Sequence, residues 1–516
     1  MITDIEKSLT IQNYEKLNYF KYLNSFLYKF IIINILINIL LYYLSSEGLA
    51  AITYTFSITY FFINFKKYFK SYFVALFAQT LVAFLINLTY LTFIGTLLIN
   101  YFVFNTSLNE ILIYYLYCDL DTYFLANIYL LIFSSSILFF NNLIPKLLKI
   151  DVINKINFTN IICKRKNIQI LMSLCIIFEF FFYFTGMIGS QQSGGFILQD
   201  NSDKTTWYTQ LYVFVVIFHI FLNVLFFVSN NKKEITFYEK FFLLVSFILS
   251  LVFFGFYERR KIIVFFTINF LLFLIMNKKK IFSFKMLLVY IFSFFVILQS
   301  FTFLQTIRSL NIVYEKDSLK TIIEKGEIFS VFQDKEINKF GRNEFKFNLR
   351  TRMFNNHELA TLFYYDKNAN KDYLNGQLLF NSLIKIIPAV IYPNKKNYVA
   401  GETLIMSATD SPLYLRDTTD SLHAYSYADL GLLGLIVYPL IINLIFFIIY
   451  KIILIKKILR FSSIYIIAIL CPLITIRTIE VTFIDWFVVM RNIIIFIFLF
   501  NYLLSFINAD EVKDDK

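Results

Sequence analysis

The chain has 516 residues, of which 58% are hydrophobic, 20% aromatic and only 16% charged, with a mean hydropathy of +0.65. Such a composition excludes a soluble globular domain and reads as a polytopic membrane protein. A formal charge of +13 would point to nucleic acid in a soluble chain. Here it is expected to report Lys and Arg gathered in the loops on one side of a membrane, with no nucleic-acid partner.

The first residues, MITDIEKSLTIQNYEKLNYFKYLNSF, are mixed in charge and lead into an apolar run with no small-residue cleavage site, so the first helix is expected to stay as an anchor. A helix of about 20 residues spans about 30 Å of hydrocarbon. Apolar runs of that kind lie near 27–44, 49–65, 72–94, 122–144, 168–188, 207–229, 237–254, 262–276 and 284–304, and again near 427–450, 461–476 and 485–507. The expected fold is therefore all-α, with about 12 transmembrane helices. Its parts are a cytoplasmic segment 1–26, helices one to nine over 27–304, one large polar insert 305–426, helices ten to twelve over 427–507, and a cytoplasmic tail 508–516.

With the N-terminus inside, the short inner loops collect twenty Lys and Arg, Lys278, Lys279 and Lys280 among them. The short outer loops hold five: Lys204, Arg259, Arg260, Lys261 and Arg477. The positive-inside rule then places both termini in the cytoplasm and turns the insert outward. Cys118, Cys163, Cys175 and Cys471 are scattered and none lies in the insert, so neither a disulfide framework nor a thiolate metal site is expected.

Three of the outer charges stand together in GFYERRKIIVFF, at the membrane surface. A cationic patch there costs insertion energy and reads as a functional site; the alternative is that Glu258 pairs with one Arg while the other stems snorkel to the headgroups. The insert itself carries sixteen Lys or Arg and fourteen Asp or Glu, a balance suited to a folded loop domain. Within it, RTRMFNNHELATLFYY has the spacing of an amphipathic helix lying against the membrane, and Pro388, Pro393 and Pro412 break the rest of the insert into turns and extended pieces.

Of the three histidines, His219 lies inside an apolar span and is expected to be a packed, hydrogen-bonded helix residue. His423 stands beside Asp420 and just before a helix entrance where Asp429, Gly431 and Gly434 follow. A neutral imidazole held there can take a proton from a sugar hydroxyl, and a neighbouring carboxylate can fix its tautomer. The competing reading is a surface histidine near a helix start, with Asp429 favouring the helix dipole. Arg350 and Arg352 precede His357 and Glu358, Arg416 precedes His423, and Arg259 and Arg260 come from another outer loop. Guanidinium forks suit phosphate oxygens, so a lipid-diphosphate-sugar would place its leaving group among them.

Two stretches, YLNGQLLFNSLIKIIPAVIYPNKKN and DSLHAYSYADLGLLGLIVYPLI, resemble the signature region of Wzy-type O-antigen and capsule repeat-unit polymerases and the related O-antigen ligases. His423, Asp429, Gly431 and Gly434 match that superfamily's pattern of a histidine, an acidic residue and two glycines opening a membrane helix. ERRKIIVFF is similar to the family's arginine-bearing loop, with Glu258 and Lys261 replacing the usual small residues, so either Arg259 or Arg260 is the counterpart. The resemblance implies metal-independent and cofactor-free glycosyl transfer at the outer face of a bacterial inner membrane. The implied substrate is an undecaprenyl-diphosphate-linked oligosaccharide, and the implied partners are the lipid bilayer, a chain-length regulator and a flippase. On this reading His423 is the general base and Arg259 and Arg260 are catalytic. Arg350, Arg352, His357, Glu358, Arg416 and Asp420 bind diphosphate or glycan.

Three rivals share the composition. A ligase would run the same chemistry and pass the glycan to lipid A core. A metal-dependent glycosyltransferase would want paired outer carboxylates, for which Asp119 and Asp121 are available, although both are better placed to cap the following helix. A flippase would show two similar halves and charges along a central path, and the chain has no internal repeat.

Overall fold

The computed structural model describes residues 24–76, 118–148, 161–162, 165–184, 236–257, 357–369, 373–387 and 421–451, together with isolated positions between 86 and 107, 211 and 226, 392 and 405, and 502 and 511. These residues are helical apart from turns, helix ends and one antiparallel pairing of Ile161–Ile162 with Asp510–Glu511. The chain divides into two units, the first built from Met1–Asn157 and Asn348–Ile495, the second from Phe158–Phe347 and Phe496–Lys516.

The first unit holds α1 (Asn24–Leu44), α2 (Glu47–Leu76), α3 (Leu120–Leu147), α6 (His357–Ala369), α7 (Gln377–Ile386), α8 (Leu422–Leu430) and α9 (Gly434–Tyr450). Three stretches among the described residues, α1, α3 and the α8–α9 segment up to Ile445, are long and apolar enough to cross a membrane. The apolar stretch of α3 is 67% buried, against 33% for α1 and 44% for α8–α9, which puts α3 at the centre of this unit. One side of α1 carries exposed Ile32, Leu36, Leu40 and Tyr43, the surface a helix turns to lipid.

The start of α3 is set by Asp119, whose carboxylate accepts from Thr122 N–H at 2.7 Å while Thr122 Oγ1 receives the Asp119 N–H at 3.2 Å. This reciprocal pair satisfies two donors that the first turn would leave orphaned. Asp121, one residue into the helix, accepts from Ser45 Oγ at 2.7 Å. Asp119 therefore caps the helix, as the capping alternative predicts, whereas Asp121 does not cap it and instead holds Ser45 between α1 and α2.

A chain of uncharged polar groups ties α1, α2 and α3 together. Tyr54 Oη donates to Asn38 Oδ1 at 2.6 Å, Asn38 Nδ2 donates to Tyr90 Oη at 2.9 Å, and Asn127 Nδ2 reaches Asn38 Oδ1 at 3.2 Å. Amide and phenol pairs of this kind hold helices where lipid competes with apolar packing.

The expected segments 27–44, 49–65, 122–144 and 237–254 each coincide with a helix, the described part of 168–188 is helical to Phe184, and 427–450 is helical with a 3₁₀ turn at Gly431–Leu433; 262–276, 284–304, 461–476 and almost all of 485–507 lie outside the described residues. Three expectations change. Helix α2 continues through Lys66, Lys67 and Lys70 to Leu76, where a loop is predicted, because that run holds no Gly or Pro and Lys is a good helix former. The helix within RTRMFNNHELATLFYY forms as α6, but Leu359, Ala360, Thr361 and Leu362 are all buried. Four consecutive buried positions surround the axis, so α6 is covered by α3 and α8 rather than lying one-sided on a membrane. Finally, the predicted end of the insert after Ser426 falls inside α8, which starts at Leu422.

The second unit contains α4 (Arg165–Phe184), α5 (Phe237–Tyr257) and helical backbone around His219. As predicted, His219 is a buried, hydrogen-bonded helix residue.

Candidate functional site

Helix α8 carries the histidine of the signature. Every residue from Ser421 to Asp429 is buried, and His423 is 1% exposed. A nine-residue helix covered on all sides has no single apolar stripe, and polar contacts join apolar packing in holding it. Ser426 Oγ donates to the His423 carbonyl at 2.7 Å, one turn back. Tyr129 of α3 brings its hydroxyl to 3.0 Å from Ser426 Oγ and 3.1 Å from the Gly431 carbonyl.

The two stretches that carry the resemblance meet here. Asp429 is fully buried, and its carboxylate accepts from the backbone N–H groups of Leu378 at 3.0 Å and Leu379 at 3.2 Å. Those groups open α7, whose own N-cap is Gly376, a residue with no side chain to offer. Asp429 supplies that cap from fifty residues away and places its charge at the positive end of the α7 dipole. Tyr438 of α9 donates a third hydrogen bond at 2.8 Å, and Leu374 N–H reaches the Ala428 carbonyl at 3.1 Å. Asp429 thus serves the start of α7, not the start of the membrane helix that comes after it in sequence.

The glycines answer to space. Gly431 has φ +57°, and a β-carbon there would lie 2.6 Å from the Tyr373 ring. A β-carbon on Gly434 would fall on the Ser426 carbonyl oxygen. Gly431 ends α8, a single 3₁₀ turn comes next, and Gly434 lets α9 leave directly against α8.

Helix α6 is brought to the same place. Phe363 packs on Tyr427 with ring centres 4.3 Å apart and on Tyr129 at 6.1 Å. Because His357 and Glu358 open α6, the helix that carries them touches the helix that carries His423. For those two residues the described structure places the backbone. Arg259, Arg260, Arg350, Arg352, Arg416 and Asp420 lie outside the described residues.

His423 is buried rather than exposed, so the surface-histidine alternative does not describe it. Sequence reading missed the supports: Tyr129, Tyr373, Ser426 and Tyr438. Only Ser426 and Tyr438 stand in the stretch around His423, and nothing about an isolated tyrosine in α3 marks it as a partner of a residue some three hundred positions away. Among the described residues no group of three His, Cys, Asp or Glu is placed to hold a metal ion. No protein-family model, curated protein or solved structure matches the chain.

Proposed function

We propose that this membrane protein is a glycosyltransferase that joins lipid-diphosphate-linked oligosaccharide repeat units into a polysaccharide. The observation that carries the reading is the burial of His423 within a span-length apolar segment built around Asp429, Gly431 and Gly434. An ionisable side chain is expensive in such a place and marks a functional site by default; the Asp429 carboxylate is accounted for by the cap of α7, and the His423 imidazole is assigned here to chemistry. The resemblance of the same stretch to the polymerase and ligase superfamily supports the chemistry.

In the proposed reaction a sugar hydroxyl of one unit gives its proton to the His423 imidazole and attacks the anomeric carbon of the growing chain. The bond from that carbon to the diphosphate oxygen breaks, and the lipid diphosphate leaves as an anion. Arg259, Arg260 and Arg416 take the charge that develops on it. Arg350, Arg352, His357, Glu358 and Asp420 position the two substrates. Undecaprenyl diphosphate in a bacterial inner membrane is the proposed carrier.

The test is a gel of surface glycans from cells lacking the gene, complemented with wild type or His423→Ala, with membrane levels of both proteins matched. The expected result is a ladder with wild type and a single repeat unit with His423→Ala. A ladder restored by His423→Ala removes the base assignment. Polymer that accumulates on the lipid carrier without transfer makes the protein a ligase; a ladder unchanged by the deletion overturns both readings in favour of transport.

A further inference from the structure

In the second unit, three side chains from three stretches of helix form a relay that the polymerase reading does not use. His219 Nδ1 lies 2.9 and 3.0 Å from the two carboxylate oxygens of Glu179 on α4, and His219 Nε2 lies 2.7 Å from Ser246 Oγ on α5. All three residues are fully buried. In the tautomer that donates Nδ1–H to the carboxylate, Nε2 is the acceptor of the serine proton. A hydroxyl in hydrogen-bond reach of a base, and that base oriented by a third group, is the geometry of an activated nucleophile.

We propose that Ser246 is a nucleophile for a carboxylic ester carried by a lipid. Ser246 Oγ attacks the carbonyl carbon and its proton passes to His219 Nε2. The ester C–O bond breaks, and the alcohol leaves with that proton while the acyl group stays on Ser246. Water then takes the acyl group, with His219 receiving and returning its proton, to release the carboxylic acid and free Ser246.

Two observations point to a ligand and to its class. Asn223 is fully buried one turn from His219; its Nδ2 donates to the His219 carbonyl at 3.0 Å, and its Oδ1 has no hydrogen-bond partner among the described residues. A buried carbonyl without a donor is costly, and the hydroxyl of a departing alcohol is the kind of group it would accept. The faces of α4 and α5 turned away from the relay are apolar and exposed: Ile177 and Phe181 lie opposite Glu179, and Leu244 and Ile248 lie opposite Ser246. Helices with such outer faces are suited to the hydrocarbon phase, and a substrate that reaches the relay between them comes from it.

The alternative is that the relay only holds three helices together, as interhelical polar contacts do in lipid. Alkyl fluorophosphonate applied to native membranes containing the full chain separates the two. The expected result is covalent labelling, mapped by mass spectrometry of the wild-type chain to Ser246, so that the outcome does not depend on a variant folding. Ser246→Ala should not label, and His219→Asn should label about 100-fold more slowly. Glu179, a positioning residue, should lose a similar factor as Glu179→Gln and recover most of it as Glu179→Asp, with the melting temperatures of the two variants alike. An unlabelled wild type, a label mapped elsewhere, or a Glu179→Gln variant that labels at the wild-type rate overturns the proposal. None of these readouts depends on the glycan ladder.

Discussion

Asp429 and Leu378 stand fifty-one positions apart in the chain, and the carboxylate of the first caps the helix that the second opens, at 3.0 Å. With Leu379 N–H and Tyr438 Oη on the same carboxylate, one buried side chain joins α7, α8 and α9.

Asp429→Ala is therefore expected to act through structure. It leaves two backbone donors and a phenol buried without their acceptor, and hydrogen bonds to a charged group contribute about 1.5–3 kcal/mol each. The melting temperature of the purified protein should fall and polymer formation with it. An inactive Asp429→Ala of unchanged melting temperature would assign the carboxylate to chemistry instead.

Gly434→Ala should be the more damaging of the two glycine changes. Its β-carbon meets the Ser426 backbone, which cannot turn aside, whereas the Tyr373 ring over Gly431 can. Gly431→Ala with Tyr373→Ala should recover part of the lost stability and retain a cost of about 1–3 kcal/mol for an alanine held at φ +57° and ψ −132°. Thermal melting of the single and double variants reads both.

Tyr129→Phe removes one oxygen from α3 and should cost about 1–2 kcal/mol, because the Gly431 carbonyl then lies buried without that donor. Combined with Ser426→Ala, the loss should be less than the sum of the two single changes, since the hydroxyls lie 3.0 Å apart. Strict additivity in melting would show that the contact carries no coupling.

Asp119→Ala should cost about 1 kcal/mol, the loss of a helix N-cap, and leave polymerisation in isolated membranes intact and insensitive to EDTA. Loss of activity without a fall in melting temperature would restore the aspartate pair as a metal-dependent site.

Much of the helical plan was legible in the chain. Long apolar runs mark α1, α3 and α9 because a hydrocarbon phase demands unbroken apolar length, a one-dimensional property. The capping role of Asp119 was legible too, since its partner Thr122 is three residues on. His423 stood out as an ionisable residue at the edge of such a run, but its burial did not. The continuation of α2 through its lysines was hidden by reading charge as a loop signal where only Gly or Pro would break the helix.

From sequence alone came a membrane-embedded helical chain and the grouping of His423, Asp429, Gly431 and Gly434. Tertiary structure decided what the last three are for: a cap on α7, a left-handed break under Tyr373, and a close crossing on Ser426. It also decided that Glu179, His219 and Ser246 form a relay. The physical reason is the same in each case. Apolar length and local caps are written along the chain, whereas hydrogen bonds between buried groups tens to hundreds of residues apart exist only once packing has excluded other partners.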